Sequence, residues 1–126
     1  MNDMITIVKS VILKNYVNFE GRANRPEFWW FYLFNFIVGL VLSLLALLIS
    51  RLATVFTVIS YLYSLAVLIP SLAVGARRLH DIGKSGWWQL IAFIPIVGAI
   101  ILIIWWAKEG DPNENQYGPV PTTPTE

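Results

Sequence analysis

"FWWFYLFNFIVGLVLSLLALLISRLATVFTVISYLYSLAVLIPSLAVGA", Phe28 to Ala76, carries a single charge, Arg51, along its whole length. As one helix at 1.5 Å per residue it would reach about 73 Å, more than twice a hydrocarbon core of about 30 Å, so the chain must double back. Burying Arg51 at mid-bilayer would cost about 2.5–3.5 kcal/mol, which places the turn there and predicts spans of about 28–50 and 52–76. The first run is too long for the apolar region of a signal peptide, and no convincing small-x-small cleavage site follows it. A third apolar run predicts a third span over 87–106.

The composition agrees. The chain has 126 residues, 56% hydrophobic and 13% charged, against roughly 45–50% and 25% in soluble domains. A net charge of +1 and the lack of a basic, aromatic-rich segment outside the membrane argue against nucleic acid as a partner. With no cysteine and one histidine, neither a metal site nor a cofactor is expected.

All six tryptophans form three doublets, Trp29–Trp30, Trp87–Trp88 and Trp105–Trp106, each at the end of an expected span, where an amphipathic ring prefers the headgroup layer. From Trp88 to Trp105 a helix would cover about 26 Å, close to one hydrocarbon thickness. The doublets therefore read as interfacial anchors.

Lysine and arginine set the direction. Lys9, Lys14, Arg22, Arg25, Arg77, Arg78 and Lys84 fall on one side of the three expected spans, and Arg51 and Lys108 on the other. The positive-inside rule then predicts a cytoplasmic N-terminus and 77–84 loop, and a C-terminus outside. Ahead of the first span, Met4, Ile5, Val8, Val11, Ile12, Tyr16 and Phe19 recur at three- and four-residue spacing. This predicts an amphipathic helix over 1–20, lying in the interface or packed on the bundle. The membrane domain spans 21–106, and 107–126, with four prolines and no apolar period, reads as an irregular polar tail. The expected fold is an all-α membrane protein: three transmembrane helices plus an N-terminal amphipathic interfacial helix.

In "NRPE", Asn24 can cap the first span, Pro26 falls in its first turn and Glu27 can reach back as in a capping box. Ser85 can cap the third span in the same way. "GRANRPEFWW", "RRLHDIGKSGWW", "IPIVG" and "NENQYGP", taken together in this order and spacing, resemble the YhaH/YhaI-like family of small bacterial inner-membrane proteins, a domain of unknown function. The resemblance runs from about Asn15 to Pro119, with Pro26 departing from the pattern. It implies an inner-membrane location and a bundle of three or four helices, and no activity.

The chemically richest stretch is "ARRLHDIGKSGWW", 76–88. A hydrolase would need Ser85, His80 and Asp81 as a triad, but adjacent His80 and Asp81 diverge on a helix end, and "GKSG" is not a G-x-S-x-G elbow. No Asp, Glu, Lys, Arg or His lies inside the expected spans, so a proton-coupled transporter lacks its carboxylate. A small oligomeric transporter or channel component, and a membrane enzyme acting on lipid headgroups, stand as alternatives to a non-enzymatic protein. Gly39-x-x-x-Ser43, Ser60-x-x-x-Ser64 and Ser71-x-x-x-Gly75 allow close helix packing and leave room for a homo-oligomer. Pro70 leaves the Ala66 carbonyl without its helical donor, and Asn35, at matching depth, is expected to supply one.

The seven basic residues of the inner side face Asp3, Glu20, Glu27 and Asp81, a net +3, while the outer side sets two against Glu109, Asp111, Glu114 and Glu126, a net −2. Arg77 or Arg78 is expected to pair with Glu27 or Asp81. Arg22, Arg25, Arg77, Arg78, His80, Asp81 and Lys84 form the candidate site, a basic cytoplasmic face for anionic lipid headgroups or a partner protein.

Overall fold

The computed structural model describes residues 2–124, with side chains from Met4 onward; the Asp3 carboxylate and Glu126 of the charge count lie outside it. Among the described residues the regular structure is helical, with one isolated bridge between Asn115 and Gly118. The elements are α1 (Asn2–Lys9), a π-helical turn Ser10–Lys14, α2 (Arg25–Leu48), a 3-10 turn Ser50–Leu52, α3 (Ala53–Asp81), a 3-10 arm Gly86–Phe93 and α4 (Val97–Ala107).

Helices α2 and α3 form an antiparallel hairpin, and both are long and apolar enough to cross a membrane. Arg51 sits in the turn between them, where the cost of burying a charge puts it. α2 begins as the sequence dictates: the Asn24 side chain accepts from the Glu27 N–H at 3.1 Å and Pro26 lies in the first turn. The outward faces of both helices expose Leu40, Leu44, Val55, Leu62 and Leu65, the residues that a hydrocarbon solvent accepts.

Asn35 links the two helices, but to a different partner from the one expected: its oxygen accepts from the Tyr63 hydroxyl, and its amide nitrogen donates to Phe31 O. The carbonyl freed by Pro70, that of Ala66, takes its hydrogen bond from the Tyr16 hydroxyl. A donor from the N-terminal segment thus closes the gap opened by proline in α3. That segment is packed on the bundle: Ile7 and Val11 are fully buried against Ala23, Phe28, Phe31 and Val74, while Leu13 and Val17 stay exposed. Of the small-residue pairs, Gly75 is used within the chain, with Gln89 and Trp106 against it, whereas Gly39 meets nothing within 4 Å.

The run 87–106 departs most from expectation. It is not one helix but a hairpin of two arms, the 3-10 arm and α4, each about 16 Å long and so about half the depth of a hydrocarbon core. Pro95 cannot continue a helical ladder. Ile96 follows at φ 66 and ψ −61, and Val97 N–H bonds Pro95 O at 2.7 Å, a γ-turn of the rare, strained hand. The arms then close so tightly at Gly98 that a Cβ there would lie 1.6 Å from Ile91 O.

Both ends of this hairpin stand beside the C-terminal turn of α3. Gly86 lies against Ala76, Gln89 Nε2 bonds Leu72 O at 3.1 Å, and the returning Trp106 Nε1 bonds Gly75 O at 3.2 Å. The Trp88 and Trp105 rings, expected at opposite membrane faces, meet edge to face at 5.6 Å. The polar tail consequently emerges at the end of the bundle that holds the N-terminal segment and the 77–84 loop, not at the end of Arg51.

Candidate functional site

Two helix C-termini, those of α3 and α4, meet at this end, and each leaves carbonyls without intrahelical donors and a partial negative charge. Three arginines satisfy them. Arg78 donates from Nε to Trp106 O at 2.9 Å, from Nη2 to Lys108 O and from Nη1 to Asp81 Oδ2 at 2.8 Å. Arg22 donates from Nε to Asp81 Oδ1 at 2.9 Å, from Nη1 to Asn113 O and Gly118 O, and from Nη2 to Asp111 O and Asp81 O. Arg25, which is exposed, reaches Ala107 O at 3.4 Å. One carboxylate, Asp81, therefore joins two guanidinium groups whose side chains are 0–1% exposed.

Arg77 stands apart from this group. It pairs with Glu27 and donates from Nε to Asn18 O at 3.1 Å, while its Nη2 is buried without a partner. Both expected acids are thus used, Glu27 by Arg77 and Asp81 by Arg78. Arg77 O accepts from Ala23 N–H at 2.9 Å, which ties the start of α2 to the end of α3.

The tail is built into this cap. Asp111 N–H bonds Asp81 O at 2.7 Å, Asn115 Nδ2 bonds His80 O at 2.9 Å, and the Asn24 amide donates to Thr123 Oγ1 at 3.0 Å. The Tyr117 ring stacks on His80 at 3.9 Å, with 3° between planes. Gly110 lies so close to Asp81 that a Cβ would come 2.0 Å from Oδ2. The tail is packed in place, because its carbonyls are the acceptors that Arg22 needs.

The arginine face is therefore not an open cationic surface. Among the described residues, Arg22 and Arg78 have every guanidinium nitrogen bonded to protein, and Arg25 is the one arginine of the set left exposed. Lys84 is half-buried, with Nζ 4.6 Å from the Trp105 ring centroid. The expected +3 is also largely cancelled, since Glu109, Asp111 and Glu114 stand at this end with Lys108.

The three side chains of the hydrolase alternative are engaged separately. Asp81 binds arginines, His80 Nδ1 lies 2.8 Å from Gly21 O, and the Ser85 hydroxyl accepts from the Trp87 N–H at 3.2 Å as a helix cap. What His80, Ser85 and Gln89 do share is a cavity of 380 Å³, walled by Phe19, Leu72, Ala76, Trp87 and Leu90. It lies between the end of α3 and the 3-10 arm, beside the exposed ring of Trp87. Neither Phe19 nor Gln89 was among the expected site residues. Trp29, Trp30, Trp87 and Trp88 are exposed, and all three doublets gather at one end. There Trp29 Nε1 also bonds Trp106 O.

Two apolar crossing helices, an amphipathic N-terminal segment and a polar cap ringed by tryptophan define a small all-α integral membrane protein. The chain belongs to the family described as a protein of unknown function, DUF805, whose model matches residues 16–119. It is 43% identical over 107 residues to the inner membrane protein YhaI of Escherichia coli K12, covering 85% of this chain and 88% of that protein. It is 42% identical over 111 residues to the inner membrane protein YhaH of the same strain, covering 87% and 92%. No solved structure matches it. With these relatives, the chain is an integral protein of the bacterial inner membrane.

Proposed function

We propose that this is a non-enzymatic protein with both termini in the cytoplasm, which holds a lipid of the inner leaflet beside its 3-10 arm. Two spans and a re-entrant hairpin put eight of the nine lysines and arginines on the cytoplasmic side and leave Arg51 alone outside, a sharper positive-inside partition than three spans give. The cavity lined by Phe19, Leu72, Trp87 and Leu90, with polar His80, Ser85 and Gln89, carries the lipid reading. It has apolar walls for acyl chain and polar groups at the depth of the tryptophans, where a headgroup lies. The buried arginines serve the fold: they clamp the hairpin and the tail to α3, and a lipid phosphate would have to displace their protein acceptors.

Native mass spectrometry of the protein in mild detergent tests this. The parent is expected to retain lipid, and Leu90→Trp, which fills the cavity from its half-exposed rim, to lose it with melting unchanged. Arg25→Gln, which changes the exposed arginine, should retain it. A parent that carries no lipid, or a Leu90→Trp protein that carries as much as the parent, would sink the reading.

A further inference from the structure

The cavity's polar atoms are of a particular kind. His80 is 9% exposed, its Nδ1 faces a backbone carbonyl, Gly21 O, at 2.8 Å, and a carbonyl can only accept. Nδ1 therefore bears the proton, and in the neutral ring Nε2 is left as an acceptor. No carboxylate bonds the ring to favour a cation, since Asp81 is bound by Arg22 and Arg78. Among the described residues Nε2 has no hydrogen-bond partner, and it lies 3.5 Å from where a Cβ on Gly86 would stand, on the cavity wall. Gln89 offers no second acceptor: its amide nitrogen is used on Leu72 O and its oxygen packs against Gly75, which does not line the cavity. The Ser85 oxygen accepts from Trp87 N–H, so its hydroxyl hydrogen is free to donate. Among the described residues no arginine or lysine lines this cavity.

Resting on the lipid reading above, we propose that the cavity selects an amphiphile with a primary ammonium head group: an N–H donor faces His80 Nε2, and an adjacent phosphate oxygen faces the Ser85 hydroxyl. A head group carrying only negative charge would find an acceptor and no cation in the lining. A trimethylated ammonium has no N–H to give and leaves His80 Nε2 desolvated and unpaired, the costly arrangement for a buried polar group.

Delipidated full-length protein is titrated in detergent with dioleoyl phosphatidylethanolamine, its mono-, di- and trimethylated derivatives, and phosphatidylglycerol. Occupancy is read by native mass spectrometry. Phosphatidylethanolamine should bind about fivefold more tightly than phosphatidylcholine, the worth of one net hydrogen bond, with affinity falling along the methylation series and phosphatidylglycerol no better than phosphatidylcholine. His80→Asn, whose amide can stand where Nδ1 stands and keep the bond to Gly21 O, should bind both lipids equally. Lipid bound without discrimination by the parent, or a preference that survives His80→Asn, overturns the ammonium site while leaving the cavity as a lipid site; no lipid bound at all overturns both. If His80→Asn does not fold, the methylation series on the parent still decides.

Discussion

Asp81→Asn removes one charge from the point where the cap is most concentrated. The carboxylate is 5% exposed and answers Arg22 Nε at 2.9 Å and Arg78 Nη1 at 2.8 Å, with guanidinium side chains 1% and 0% exposed. Removing one partner of a buried pair costs about 3–5 kcal/mol, because the survivor stays buried without compensation. Here two survivors remain, but both also hold carbonyls of the tail and of α4 that stay in place, so the lower end applies, about 3 kcal/mol. At roughly 3–4 °C per kcal/mol for a chain of this size, melting should fall by about 10 °C. The assay is thermal unfolding in mild detergent, with limited proteolysis of 109–124, since the Asp81 backbone and Arg22 hold Asp111. Protease should cut the variant's tail well below its melting temperature, and adding Arg22→Gln should cost less than the sum of the two single changes. Melting within about 2 °C of the parent, with the tail equally protected, would refute the view that Asp81 couples the two arginines.

Topology can be tested with single cysteines, because the chain has none of its own. In intact spheroplasts an impermeant maleimide should spare cysteines at Thr123 and Lys84 and label one at Arg51; labelling at Thr123 would restore a third full span. Gly98→Ala should destabilise strongly, because its Cβ would fall 1.6 Å from Ile91 O, whereas Gly39→Ala, with nothing within 4 Å, should be neutral or stabilising by up to about 1 kcal/mol; equal melting temperatures would mean that the hairpin arms are not in contact. Tyr16→Phe keeps the ring but leaves the Ala66 carbonyl, freed by Pro70, without its donor, and should lower stability by about 1–3 kcal/mol; a variant as stable as the parent would show that this carbonyl finds another partner.

The first two spans were legible because one physical quantity decides them: an apolar run too long for one crossing, with a single charge where a turn can put it in water. The shape of the third apolar run was not legible from composition and length, because local backbone chemistry decides it. "IPIVG", 94–98, holds a proline, which cannot donate into a ladder, and a glycine, where backbones can touch, in the middle of the run. Its tryptophan spacing fits one crossing of about 26 Å as well as it fits two arms of half that depth. Residue counting cannot separate these, whereas Ile91 against Gly98 and Trp88 against Trp105 do.

The same difficulty holds at the site. With the tail at the Arg51 end, the charges of the other end are unbalanced and an external anion is needed to answer them. With the tail packed beside Asp81, as the structure has it, the balance comes from the chain's own acids and, more specifically, from its carbonyls. Counting charges could not reveal this, because Asn113 O, Gly118 O, Trp106 O and Lys108 O are main-chain atoms with no residue signature. One sequence signal was available: "NENQYGP" belongs to the segments that carry the family resemblance, and an unstructured tail has no physical reason to keep such an ordered set. Asn115 and Tyr117 within it fasten to His80, fixing from outside the bundle the ring that the cavity needs from inside. An arginine cluster at a membrane surface therefore predicts a headgroup site only once the acceptors at nearby helix ends have been satisfied. Here the C-termini of α3 and α4 and the tail take those donors first, and the polar atoms of the cavity wall that they leave are His80 Nε2 and the Ser85 hydroxyl.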